Sequence, residues 1–171
     1  MSVTESGVAS EVAIFRHQAG VVSEVVRINV NGVTHEESLI RPAPAGNCLN
    51  WVVGHLLAVY GNALALLGQE RVLEEEVLKR YDRGSPPIEN PADALEFSEL
   101  MKAWDETSRR IDSGLAALTP ETLDQPAADS PSGNPDETVR TLVSTIMFHQ
   151  AYHAGQLGVL RRIAGREGAI A

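Results

Sequence analysis

A long segment without any charged side chain, from Pro42 to Gln69, constrains the fold of this 171-residue chain more than any other feature. Its central part, Leu49–Leu67, is mostly apolar and nearly as long as the roughly 20 residues that span a bilayer. Three polar side chains interrupt it, Asn50, His55 and Asn62, and polar groups are costly inside a membrane. No basic cluster flanks the segment to set an orientation. The sequence therefore predicts a helix buried among other helices, and no association with a membrane.

Apolar periodicity and capping residues predict three more long helices around this one. The first runs from about Val8 to Ile28, on a stripe of apolar residues spaced three and four apart. The pairs Asn90-Pro91 and Asn134-Pro135 are typical of an N-cap and a first helical residue, and they predict where the third and fourth helices begin. The chain shows no hairpin turn signal and no alternating strand pattern, so we expect an all-α four-helix bundle.

Composition limits the organisation and the partners of the chain. We expect one domain over residues 1–171, with a mobile tail over residues 1–7. The 23 acidic and 14 basic side chains give a net charge of −9, which argues against the basic face that nucleic acid binding requires. The single cysteine, Cys48, excludes an intrachain disulfide and a multi-cysteine zinc site. The N-terminal residues do not resemble a signal peptide, so we expect a cytoplasmic protein.

Three histidines fall on the apolar faces of two predicted helices. His149 and His153 are four residues apart and share one face of helix four with Leu142 and Leu160. His55 lies on the apolar face of helix two. Three core histidines with hydrogen bonds inside the bundle are one explanation. A divalent metal satisfies all three imidazoles at once and keeps a fourth position open, as catalytic sites do, so the sequence predicts a zinc or nickel site at His55, His149 and His153.

Neighbouring residues narrow the chemistry of this site. The spacing of His149 and His153 equals that of the zincin helix, but Gln150 stands where that motif has its glutamate base, which disfavours a zinc protease. No helix contains a Glu-x-x-His pair, which excludes a ferritin-like di-iron centre. Gln156 and Asn62 share the faces of these histidines, and we expect them to hydrogen-bond a metal ligand or a substrate, with plain packing as the alternative.

Three remaining residues carry no such signal. Cys48 lies seven residues before His55, about 10 Å along the helix, and is expected to be a buried, inert thiol. His17 is predicted on the surface of helix one, and His35 in a loop.

Two segments carry a family likeness. They are Asn50-Trp51-Val52-Val53-Gly54-His55-Leu56 in helix two and His149-x-x-x-His153-Ala154-Gly155-Gln156-Leu157 in helix four. In this order and separation they resemble the DinB/YfiT-like superfamily. The resemblance implies an up-down-down-up four-helix bundle whose metal triad corresponds to His55, His149 and His153.

The resemblance also implies an activity. Some members are transferases or isomerases that use a low-molecular-weight thiol such as bacillithiol or mycothiol. We therefore expect a metal-dependent transferase that activates such a thiol toward a small-molecule substrate. A metal-dependent hydrolase and a non-catalytic, metal-binding, stress-associated bundle remain as alternatives. A homodimer is expected on the same analogy, and because helix two is more apolar than a four-helix monomer needs.

Overall fold

Four long helices and three short ones make up the fold. The computed structural model describes residues 3–128, 130–131 and 133–170, with side chains from residue 11 onward. Over these residues it contains no strand, and two 3₁₀ turns, Lys79–Tyr81 and Pro91–Asp93, lie in the connections. The predicted all-α class is confirmed. The helices are α1 (Val3–Val30), α2 (His35–Ser38), α3 (Leu49–Leu66), α4 (Glu75–Leu78), α5 (Phe97–Ala116), α6 (Pro120–Leu123) and α7 (Val139–Ile163).

The four long helices form a closed ring. Helices α5 and α7 each pack against both α1 and α3, so α1 and α3 face each other across the diagonal. Two ion pairs show the direction of α5, because Arg16 pairs with Asp112 at 2.7 Å and Arg27 pairs with Asp105 at 2.8 Å. Residue numbers rise along α1 while those of their partners fall along α5. Helices α1 and α5 are therefore antiparallel.

Contacts of α7 and α3 give their directions in the same way. Glu11 pairs with Arg140 near the start of α1 and α7, and Asn29 near the end of α1 donates to the carbonyl oxygen of Ala154 at 3.3 Å. Helices α1 and α7 therefore run parallel. The ring of Tyr60 stacks on that of Trp104, with 5.4 Å between centroids. This contact, together with a 2.9 Å hydrogen bond between Asn50 at the start of α3 and the residue two before α5, makes α3 and α5 parallel.

Helix α3 is the most deeply buried of the four. By length and composition it could cross a membrane, but 78% of it is buried inside the bundle. The sequence prediction of a buried central helix is thus confirmed. Because neighbouring helices of the same chain already cover α3, its apolarity is no longer a reason to expect a homodimer.

Two helix starts differ from the sequence prediction. Helix α1 begins at Val3 and not at Val8, so the part of the predicted tail from Val3 to Gly7 is helical, whereas Met1 and Ser2 lie outside the described residues. Asn90 caps only a 3₁₀ turn, through a 3.1 Å hydrogen bond to its side chain from the backbone of Ala92, and α5 starts later, at Phe97.

Helix α7 also starts later than Asn134 suggests. The Asn134 side chain accepts a local hydrogen bond from Asp136 N–H at 3.0 Å and caps no helix. Thr138 is the real N-cap, because it and Thr141 form a reciprocal capping box. Pro135 and Asp136 form a turn, and an isolated antiparallel bridge joins Thr138 to Pro126, so the helix starts only after it; sequence periodicity does not reveal this bridge.

Candidate metal centre

The three predicted histidines converge between α3 and α7. Each histidine offers one ring nitrogen, and these three nitrogens all lie within 4.8 Å of one another. The Nε2 atoms of His55 and His149 are 3.2 Å apart, and the rings of His149 and His153 have centroids 4.4 Å apart. His55 is buried, and the two residues of α7 are half-buried. The helical spacing therefore predicted a real cluster.

Carbonyl oxygens set the tautomers of two of the imidazoles. His55 donates from Nδ1 to the backbone oxygen of Tyr81 at 2.8 Å, and His153 donates from Nδ1 to Oε1 of Gln156 at 2.7 Å. Since these oxygens only accept, each Nδ1 carries the proton and each Nε2 keeps a free lone pair. Nδ1 of His149 is buried and has no hydrogen-bond partner among the residues that the structure describes. Outer hydrogen bonds of this kind orient metal-binding histidines.

The separation of one pair of imidazoles in the cluster fits a shared divalent ion. Two imidazole nitrogens that bind one tetrahedral zinc at about 2.0–2.1 Å lie roughly 3.3 Å from each other. The observed 3.2 Å between Nε2 of His55 and Nε2 of His149 matches this separation. The donor set is imidazole alone, which suits zinc and nickel. Cys48 is fully buried outside the cluster, as the sequence predicted.

Burial keeps these imidazoles neutral. It lowers the pKa of His55, His149 and His153 below the ordinary value of 6.5. The shift is largest for His149, whose pKa falls to about 4 because burial acts together with the charges of the other two rings; Arg83 adds a smaller effect of the same sign. Neutral imidazole is the form that binds metals, so at neutral pH these histidines can bind an ion without first losing a proton.

The residues just before His55 explain the local packing. The Trp51 indole stacks on the His55 ring with centroids 4.9 Å apart, and its Nε1–H donates to Ser85 Oγ at 3.0 Å. A Cβ on Gly54 would lie 2.2 Å from the Tyr81 ring. Glycine at this position therefore lets the Tyr81 turn approach α3 closely enough for its carbonyl to reach His55.

A buried network fixes the Tyr81 turn in place. Tyr81 donates its hydroxyl hydrogen to Oδ1 of Asn50 at 3.2 Å and accepts from the N–H of Leu95 at 2.8 Å. Asn50 in turn donates from Nδ2 to the Leu95 carbonyl at 2.9 Å. The sequence analysis assigns no role to this region, although the side chains of Leu78 and Tyr81 are buried. The sequence does contain a signal for their burial, because these two apolar residues stand three apart in a stretch that is otherwise mostly charged.

A cleft of about 730 Å³ opens onto the three histidines. Its α7 side presents Phe148, Tyr152 and Val159, and the loops contribute Pro42 and Arg83. Small-molecule sites commonly have this size and this apolar lining. None of the described lining residues comes from α5 or is an Asp or a Glu.

Of the other polar residues considered from the sequence, one lines the cleft and two do not. Gln156 lines the cleft and holds His153, as expected from its place on the helix. Asn62 does not reach the cleft, because it is exposed and its Oδ1 accepts from Arg71 at 2.8 Å. Gln150 is fully buried and does not line the cleft, and its Nε2 donates to the carbonyl oxygen of Leu56 at 3.1 Å.

The two remaining histidines lie away from the cluster. His17 is exposed on α1, as predicted. His35 is the first residue of α2 and not part of a loop, and its Nδ1 accepts a 3.2 Å hydrogen bond from the backbone of Phe97 at the start of α5.

Comparisons with known proteins agree with this architecture. The sequence model of the DinB superfamily matches residues 23–157, from the second half of α1 to near the end of α7. A solved structure described as a conserved protein of locus from Enterococcus faecalis superposes with a TM-score of 0.68 at 17% identity, over 96% of this chain and 98% of that chain. At this identity the likeness shows the fold alone. A search of curated proteins finds no match.

Proposed function

The chain belongs to the DinB superfamily, and on that premise we propose that it is a metal-dependent transferase that activates a low-molecular-weight thiol toward a small-molecule substrate. The observation that carries the proposal is the cluster of His55, His149 and His153 at the floor of an open cleft. A zinc or nickel ion held there would lower the pKa of a thiol or water that it binds, so that a nucleophile is populated at neutral pH.

The residues around the cluster favour a thiol over water as the nucleophile. Metal-dependent hydrolases usually need a carboxylate that takes the proton from water. The described part of the cleft lining contains no Asp or Glu, and Gln150 is buried and does not line the cleft. A thiol needs no separate base once it has ionised, so this lining is compatible with the transferase, whereas a hydrolase would depend on the metal alone to ionise its water.

The protein contributes orientation of the metal ligands and an apolar wall. Tyr81 and Gln156 hold the Nε2 lone pairs of His55 and His153 toward the centre of the cluster. The Trp51 indole covers one face of His55 and keeps its ring plane fixed. Phe148 and Tyr152 form an apolar wall at which the carbon skeleton of a substrate can bind.

Metal analysis of tag-free protein tests the first half of the proposal. We expect about one equivalent of zinc or nickel per chain, retained in His17→Ala and mostly lost in His153→Ala, since only the second variant removes a ligand. The exposed His17 makes the matched control. Equal metal content in the two variants would contradict the metal site.

Measurement of turnover tests the second half of the proposal, the thiol transferase activity. Metal-loaded protein is incubated with bacillithiol, mycothiol or glutathione and a model electrophile, with His55→Ala as the control. Acceleration by the wild type alone supports the transferase. Turnover of esters or amides without any thiol would favour the hydrolase, and no reaction with either panel would favour a non-catalytic metal-binding bundle.

A further inference from the structure

Arg83 is an unpaired cation at the cleft. Most basic side chains of the protein form ion pairs, as Arg16, Arg41 and Arg140 do. Arg83 lines the cleft and makes neither a hydrogen bond nor an ion pair with another described residue. Its charge is therefore free to act on whatever occupies the cleft.

Asp82, the acidic residue next to Arg83 in the chain, acts electrostatically on the His55 imidazole but does not line the cleft. The described lining of the cleft contains no acidic residue, although the whole chain carries a net charge of −9. The imidazoles of the cluster are neutral, and a divalent ion bound to them would add further positive charge. Arg83 together with a bound divalent ion would therefore attract an anionic ligand into the cleft, although Asp82 offsets part of this charge.

The backbone on both sides of Arg83 is held to α3. Two residues before it, the Tyr81 carbonyl accepts from His55, and two residues after it, Ser85 Oγ accepts from Trp51 and donates to the Arg80 carbonyl at 2.9 Å. Between these two anchored residues, Arg83 is exposed together with its neighbours Asp82 and Gly84. A fixed backbone lowers the entropy lost when such a side chain binds a ligand.

We propose that Arg83 binds a carboxylate of the ligand that enters the cleft. The ligand then carries a metal-binding donor, such as a thiol, at one end and a carboxylate at the other, with a short apolar spacer against Phe148 and Tyr152. The guanidinium fork matches a carboxylate in a bidentate fashion. A phosphate dianion fits less well because Arg83 is the only basic residue in the described lining. This inference rests on the proposed function.

Calorimetry with matched ligands tests the proposal. Short ω-mercaptoalkanoates and the corresponding ω-mercaptoalkanamides are titrated into metal-loaded protein. At the best spacer length we expect the acid to bind about tenfold more tightly than the amide, as a charge-assisted hydrogen bond provides. Arg83→Gln should remove most of this preference, and Arg83→Lys should keep part of it.

Lys102, which has no ion-pair partner among the residues that the structure describes, supplies the control. It is exposed on α5, outside the cleft, so Lys102→Gln removes the same charge and should leave the preference unchanged. Any preference that the metal itself has for acids is common to all variants and cancels. An equal preference in Arg83→Gln and Lys102→Gln, or none in the wild type, overturns the proposal.

The proposed metal site and the proposed role of Arg83 can be refuted independently of each other. Metal content is measured for every variant, and a wild type without metal refutes the proposed function. In that case 3-phenylpropionate and 3-phenylpropionamide, which have no thiol, are titrated into the metal-free protein. A preference for the acid that disappears in Arg83→Gln still supports the role of Arg83, and the absence of a preference refutes it.

Discussion

Gly54 and Tyr81 are in such close contact that a single methyl group would separate them. A Cβ on Gly54 would lie 2.2 Å from the tyrosine ring, far inside van der Waals contact. The carbonyl of the same tyrosine fixes the tautomer of His55 at 2.8 Å. A packing contact at one position of α3 thus controls a candidate metal ligand on the next residue.

The first prediction follows from this contact. Gly54→Ala should displace the Tyr81 turn, lower the free energy of unfolding by about 1–3 kcal/mol through overpacking, and weaken metal binding. Gly155→Ala is the control, because a Cβ on this helical glycine meets nothing within 4 Å. It should stabilise the protein by up to about 1 kcal/mol through helix propensity and leave metal binding unchanged. Urea unfolding and metal titration of both variants measure these effects.

The second prediction concerns Gln156. Its Oε1 accepts from Nδ1 of His153 at 2.7 Å, so Gln156→Leu removes the group that orients this ligand. We expect metal affinity to fall about 10–100-fold while the helical content stays the same. Competition with a chromophoric chelator measures the affinity. Asn62→Leu, at an exposed position outside the cleft, should bind metal like the wild type, and equal losses in both variants would contradict a specific role for Gln156.

The triad could be predicted from sequence because helical periodicity alone places it. His149 and His153 are one turn apart on a face whose other members are apolar, and His55 has the same relation to its own helix. Convergence on one point then requires only that α3 and α7 pack together. No detail of a loop is needed for this conclusion.

The surroundings of the triad could not be predicted because they lie in connections. The Tyr81 carbonyl, Ser85 and Arg83 follow no period, and their positions depend on the contact with Gly54 and on the Asn50 network. The helix starts predicted from capping residues were wrong for a similar reason. Asn90 caps a 3₁₀ turn and not the long helix that was predicted, because whether a capped turn continues into a helix depends on tertiary contacts.

The third prediction concerns pH. Folding lowers the pKa of His149 to about 4, from about 6.5 in the unfolded chain, because burial and the neighbouring imidazoles disfavour its charged form. Below pH 6.5 the unfolded state therefore binds more protons than the folded state does. The free energy of unfolding of the metal-free protein should fall as the pH drops from about 6.5 toward 4, and then change no further through this residue.

Urea unfolding in the presence of a chelator, at several pH values, measures this dependence. His149→Phe should flatten the profile between pH 6.5 and pH 4, because the variant has one histidine fewer to protonate on unfolding. His17→Phe removes an exposed histidine and should leave the profile close to that of the wild type. A wild-type profile without any slope in this interval would show that the cluster is not buried as described.

The last prediction is the homodimer, for which the structure supplies a different basis from the sequence. Helix α3 is covered within one chain, whereas α7 exposes Phe148 by 74% and Val159 by 61%. Large exposed apolar side chains on one helix favour an interface with a second copy. In sedimentation at micromolar concentration we expect a dimer, converted by Phe148→Glu to an 18.4 kDa monomer. Val77→Glu, at another exposed apolar position, should remain dimeric, and a monomeric wild type at high micromolar concentration would refute the dimer.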